Sequence, residues 1–147
     1  MMYEHCRVCG CAASQKHHVV FRSENKALEH SKVNIIPLCE SCHYKIHHGN
    51  TKEGKQINIL LKINLQDYIN FMLPYEVDRD DIRRVMRIND KMVDRITKTL
   101  RMDNKGKYEK DEVIKRLMGG RFYFWNEYEQ LYNKTKKRIK VTYWEEF

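Results

Sequence analysis

Apolar and polar positions alternate in short blocks, and each block reads as a different element. "HHVVF" at 17–21 is a run of β-branched and aromatic residues and predicts a short strand. "RSENKALEHSK" at 22–32 reads as a polar loop, and "VNIIPLCESC" at 33–42 as a second extended segment. "ESCHYKIHHG" predicts a short helix closed by Gly49. "TKEGKQ" at 51–56 is polar and reads as a linker. Over 57–73, Ile57, Leu60, Leu61, Asn64, Leu65, Tyr68 and Phe71 or Met72 fall on one helical face, and Pro74 ends the element.

Further along, two short amphipathic helices are expected. The first runs from Arg79 to Arg87 with Ile82, Val85 and Met86 inward. The second runs from Lys91 to Arg101 with Met92, Val93, Ile96 and Leu100 inward. "IND" between them is a tight turn with Asn89 or Asp90 as N-cap. A glycine-centred turn, Tyr108 and a third helix from about Lys110 to Met118 follow, closed by Gly119. In the tail, Phe122, Phe124, Trp125, Leu131, Tyr143 and Trp144 are expected to complete a core. The fold class is α+β. A small β-rich module over residues 1–54 precedes a mainly helical region over 55–147, helix-turn-helix-like at 79–118.

Charge adds a partner to this picture. The chain has 147 residues and a formal net charge of +8, which favours a polyanion, nucleic acid first among them. Residues 1–50 carry six Lys/Arg against four Asp/Glu, whereas 79–121 carry fourteen against eight. The basic excess therefore lies in the helical region. Lys91, Asp94, Arg95, Lys98 and Thr99 are the outward positions of the second helix, and Lys91, Arg95 and Lys98 are the DNA-binding candidates there. An amphipathic pair with a solvated basic face is the alternative. "KTKKRIK" at 134–140 offers a second basic run. No apolar run approaches the roughly 20 residues of a membrane span. Nor is there a signal-peptide core at the N-terminus, so a cytoplasmic, reducing setting is expected, with no membrane partner.

In that setting cysteines bind metal more often than they pair. "CRVC" and "CESC" place Cys6, Cys9, Cys39 and Cys42 in two C-x-x-C knuckles, the donor set of a structural zinc site. Cys11 stands outside the pattern. Zinc would supply folding energy that fifty residues of core cannot. His43 and His47 lie four apart on one helix face. With an imidazole from the first strand they make a plausible three-histidine metal site, separate from the sulfurs.

The segment "CRVCG…KHHVVFRSE…VNIIPLCESCHYKIHHG" resembles the H-N-H nuclease motif, the ββα-metal fold, over about residues 6–49. The resemblance implies a metal-dependent DNA endonuclease that hydrolyses phosphodiester bonds, of the free-standing phage or mobile-element type, acting in the host cytoplasm if phage-encoded. It implies His18 as general base, Asn34 as the residue that orients it, and His17 and His43 as ligands of the catalytic metal. His47 matches an extra ligand of colicin-like nucleases, and Arg22 and Ser23 match an "RS" that often follows the histidine pair. The chain departs from many relatives at "ENKALEHS", where they carry Gly-Gly. The helices at 79–118 similarly resemble the winged helix-turn-helix of excisionase-like DNA binders.

The residue types suit the chemistry. An imidazole, with an ordinary pKa of about 6.5, accepts a proton from water at neutral pH. An amide or carbonyl from Asn34 would fix the tautomer of the base. Three imidazoles accept Zn, Ni or Mn, and Mg less readily, so the divalent metal stays open among Mg, Mn, Ni and Zn. A reading from another class is a zinc-containing helix-turn-helix regulator without catalysis. That reading gives no use to His17, His18, Asn34 and His43 together. Oligomeric state is not legible in the sequence.

Overall fold

The computed structural model describes residues 4–48 and 50–139. Among them are six α-helices and two two-stranded sheets, an α+β architecture. The chain divides into two compact units, and neither is a contiguous half. One draws on Met1–Val19, Ile36–Asn64 and Tyr123–Phe147, the other on Val20–Ile35 and Leu65–Phe122.

The first unit opens with a knuckle. The Cys6 amide donates to the Cys11 carbonyl and the Gly10 amide to that of Cys6. Gly10 takes a positive φ of 79°, which a glycine adopts without strain. Amides of Arg7 and Ser14 donate to the carbonyls of Pro37 and Leu38, which ties the knuckle to the next extended segment. Strand β1 (Gln15–His18) pairs with β2 (Ile35–Leu38), and helix α1 (Glu40–His47) follows. The expected strand at 17–21 thus begins earlier and ends at His18.

Helix α2 (Lys52–Met72) starts where a linker was expected. Gly54 is the reason. It reads as a breaker, yet it is buried in the first turns, and a Cβ there would collide with the Lys45 carbonyl oxygen of α1. The glycine lets two helices approach, so the boundary expected after residue 54 falls inside a helix. Within the first unit α2 buries Gln56, Ile57, Leu60, Leu61, Lys62 and Ile63, more than one face. Phe71 and Met72, expected on the inner face, are instead exposed, because the buried part of the helix ends at Ile69.

Helix α6 (Trp125–Thr135) belongs to this unit. The buried Gln56 amide donates to the Lys137 carbonyl and accepts from Thr135 Oγ1. Tyr128 Oη accepts from the Ile139 amide at 3.0 Å. Phe124 and Trp125, expected in the core, are exposed, while Phe122 and Leu131 are half-buried. Among the described residues of the tail, Tyr123 and Tyr128 are the buried aromatics, because their hydroxyls find partners in the interior. Tyr143 and Trp144 lie outside the described residues.

In the second unit, β3 (Glu76–Val77) pairs antiparallel with β4 (Tyr108–Glu109), with Val77 opposite Tyr108 and both buried. Between them run α3 (Arg79–Met86) and α4 (Asp90–Thr97), and α5 (Lys110–Leu117) follows β4. Asp78 and Asp81 form a capping box on α3, and Asn89 caps α4. Ile82, Val85, Met86, Val93 and Ile96 are buried as expected, while Met92 and Leu100 are half-buried. Helix α4 stops at Thr97 rather than Arg101. Thr97 Oγ1 bonds back to the Val93 carbonyl, and "TKT" is a weak helix former. Residues 20–35 also belong here. The Asn25 amide reaches the Arg116 and Leu117 carbonyls, and Ser31 Oγ donates to the Met86 carbonyl.

Candidate metal centres

The two knuckles bring the thiols of Cys6, Cys9, Cys39 and Cys42 within 4.8 Å of one another. Cys9 Sγ lies 3.5 Å from Cys39 Sγ. A tetrahedral zinc with bonds of about 2.3 Å needs sulfurs about 3.8 Å apart, so the donor set fits that ion. The electrostatics agree. Burial pushes the Cys6 thiol up, but the amides of Cys39, Cys9 and Val8 outweigh it and bring it to about 7. Burial pushes Cys39 and Cys42 up, and the crowded sulfurs around Cys42 add to it. Four thiols so close cannot all ionise without a cation among them. Cys11 is exposed and stands outside the cluster.

A second cluster lies in the same unit. His17, His43 and His47 each offer a ring nitrogen, and all lie within 4.8 Å of one another. Strand and helix periodicity produce this set. Side chains alternate across a strand, so neighbouring histidines on β1 diverge: His17 is fully buried and His18 is half-buried. The adjacent pair therefore supplies one inward candidate ligand and one imidazole in a different environment. On α1 the four-residue spacing sets His43 and His47 side by side, with ring centroids 4.7 Å apart. His47 Nε2 lies 3.4 Å from His17 Nδ1. That is close to the roughly 3.3 Å edge of a tetrahedral site with metal–nitrogen bonds of about 2.0–2.1 Å.

Burial depresses all three imidazoles. His17 falls to about 3, through desolvation first and then the neighbouring His43 and His47. His43 and His47 are lowered by burial and then by surrounding histidines. All three are neutral at physiological pH, the state in which an imidazole binds metal. Helix α1 links the centres along the chain. Its N-cap is Cys39, whose sulfur accepts from the Cys42 amide, and Cys42 and His43 are consecutive.

Asn34 is buried and its side chain is fully engaged. Oδ1 accepts from the Val20 amide at 2.8 Å, and Nδ2 donates to the carbonyls of Val20 and Leu28. Its amide therefore grips the chain two residues beyond His18. It does not reach an imidazole, as fixing a tautomer with the side chain would require. Lys62 and Tyr123 were not anticipated. The buried lysine lies 3.2 Å from the buried tyrosine's hydroxyl, and its charge contributes to the lowering at His17. A lysine in an apolar helix run ordinarily reads as a solvated position, so no local signal marks its burial.

The DNA-contact candidates are exposed. Lys91 and Arg95 lie on α4, Lys98 caps its end, and Arg22 is 3.4 Å from Glu29. Asp94 pairs with Arg79. Arg116 donates to Thr99 Oγ1 and to the Arg95 carbonyl, which braces the end of α4 and occupies Thr99. In the basic tail, Lys137 pairs with Glu53, and Arg138 lies over the Tyr132 ring.

A mitochondrial DNA mismatch repair protein mutS homolog from Sarcophyton glaucum is 41% identical over 46 residues. The match covers 29% of this chain and 5% of that protein. No family model and no solved structure matches the chain. No helix among the described residues is long and apolar enough to cross a membrane.

Proposed function

We propose that the chain is a metal-dependent DNA endonuclease of the H-N-H type. The observation that carries this reading is the convergence of His17, His43 and His47 apart from the four-cysteine cluster, with His18 next in sequence to a ligand. A structural zinc needs only the cysteines. A second all-imidazole centre suits a metal with positions left for substrate. The link to DNA is supported by the net charge of +8, the exposed cations of α4 and the similarity to a mismatch repair protein.

In this mechanism His17, His43 and His47 would hold one divalent ion, which when bound would supply Lewis-acid stabilisation of the phosphate as its oxygens gain charge. The imidazole of His18 takes the proton of the attacking water. That water's oxygen forms the new bond to phosphorus, and the bond to the leaving 3′ oxygen breaks. Asn34 holds the loop beyond the base. Lys91, Arg95 and Lys98 bind backbone or bases from the second unit. A phage or mobile-element origin belongs to the same reading.

Incubating supercoiled plasmid with the zinc-loaded protein and Mg, Mn, Ni or added Zn tests it. Metal-dependent nicking or linearisation is expected. It should be lost in His43→Ala, with melting and zinc content retained. Salt-sensitive DNA binding without cleavage under every metal would favour the regulator reading.

A further inference from the structure

The second unit carries a groove of about 910 Å³ that the nuclease reading leaves unused. Its walls come from the end of α2, from β3, from residues 99–103 and from β4 with the start of α5. Two apolar side chains stand open on it: Tyr75 is 87% exposed and Met102 51% exposed. Phe71, beside the lining residue Asn70, is 86% exposed. Clustered apolar exposure of this kind marks interaction surfaces.

The charge of the groove identifies what it takes. Five carboxylates line it against three cations, so it carries −2 in a chain of +8. Asp103 is spent on its own loop, accepting from the amides of Lys105 and Lys107, and Lys107 is drawn to Asp78. Among the described residues the carboxylates of Glu109, Asp111 and Glu112 enter no ion pair, and Glu76 feels the charge of Lys107, whose ammonium pairs with Asp78. Glu76 and Glu109 are direct cross-strand partners on the exposed side of the β3–β4 ladder. Like charges placed so are destabilising, and a cation between them removes the penalty. The acidic wall would repel a phosphate backbone, so nucleic acid is the wrong occupant.

We propose that this groove docks a basic peptide segment of a partner protein. Arginine or lysine side chains meet Glu76 and Glu109, and an apolar or aromatic anchor packs on Tyr75 and Met102. This docking does not rest on the nuclease reading, because none of these residues is a metal-ligand, base or DNA-contact candidate.

The probe is a fluorescein-labelled ten-residue peptide of arginine and lysine with two tryptophans, titrated with the full chain. A second peptide has every cation replaced by glutamate. Saturable binding of the basic peptide is expected, with none of the acidic one. It should weaken with added salt, as partly exposed pairs are screened over a Debye length of about 8 Å at 0.15 M. The double variant E76K/E109K should bind roughly tenfold more weakly. Tyr75→Ala should also bind more weakly, at unchanged salt dependence. The variant E76Q/E109Q, which keeps shape and removes the repulsion, should melt no lower than the parent and still lose affinity. Equal binding of both peptides would overturn the proposal. So would unchanged affinity in E76Q/E109Q, or displacement of the basic peptide by a DNA oligonucleotide that E76K/E109K binds no better than the parent.

Discussion

His17 and His18 show how one dipeptide divides its labour. Strand alternation buries the first and leaves the second half-buried, so the same residue type is a neutral donor at one position and a candidate base at the next. The depressed His17 pKa has a direct consequence for stability. In the unfolded chain this imidazole protonates below about pH 6.5, whereas in the folded chain it stays neutral down to about 3. The unfolded state therefore binds the extra proton throughout that window, and stability falls as the pH drops through it. The loss amounts to about 2 kcal/mol by pH 5. Urea midpoints of the protein with its cysteine site loaded should fall more steeply between pH 7 and 4 than those of His17→Asn. Parallel falls would assign the effect to another group. Asn34 separates from His18 in the same way. His18→Ala should leave the melting temperature in place and reduce cleavage about 10²–10⁴-fold. Asn34→Ala strands the Val20 amide and two carbonyls, at about 1–3 kcal/mol for a buried unsatisfied group, so it should lower melting and cleavage together. The identity of both residues was legible in the sequence. The hydrogen bonds of Asn34 were not, because only the folded loop shows that its amide meets Val20 and Leu28.

Among the elements, α1 carries candidate ligands for both clusters, and its seat depends on α2. Gly54 brings α2 against the Lys45 carbonyl, between His43 and His47 in sequence. A methyl group there meets backbone and cannot rotate away. Gly54→Ala should therefore lower the melting temperature despite alanine's better helix propensity, which in an open helix would stabilise by about 1 kcal/mol. Because α1 must shift to accommodate it, affinity for a divalent ion at the histidine centre should fall too, read by the visible spectrum of Co(II). A more stable variant with unchanged Co(II) binding would show that the two helices are not held at this point. The same glycine explains why the sequence misplaces the start of α2: a small residue among polar ones reads as a linker until the neighbouring helix is in view. Elements defined by local signals were easier to read. The cap at Asn89 and the spacing of the buried Ile82, Val85, Val93 and Ile96 mark α3 and α4. The tail needed tertiary information, since nothing local distinguishes buried Tyr123 and Tyr128 from exposed Phe124 and Trp125.

At the scale of the whole molecule, the two units interleave along the chain, and this decides how the protein can be dissected. A fragment ending near Gly54 looks self-sufficient from the sequence, since it holds all seven metal-ligating candidates. Yet the unit containing those ligands also takes α2 as far as Asn64 and the chain from Tyr123 onward. Removing them deletes Ile57, Leu60, Leu61 and Ile63 from its core, along with the Tyr123 and Tyr128 contacts. Burying one such aliphatic side chain contributes about 1.5–3 kcal/mol, comparable in sum to the 5–15 kcal/mol net stability of a typical domain. Residues 1–54 with zinc should therefore bind the ion through the cysteines without a cooperative thermal transition and without cleaving DNA. A chain that ends at Gly120 keeps α2 but leaves the Gln56 amide without Thr135 and Lys137. It should retain zinc and melt well below the full-length protein. Calorimetry on the two fragments and the full chain decides the matter: a sharp transition and plasmid cleavage from residues 1–54 alone would mean that the metal centres fold independently of α6.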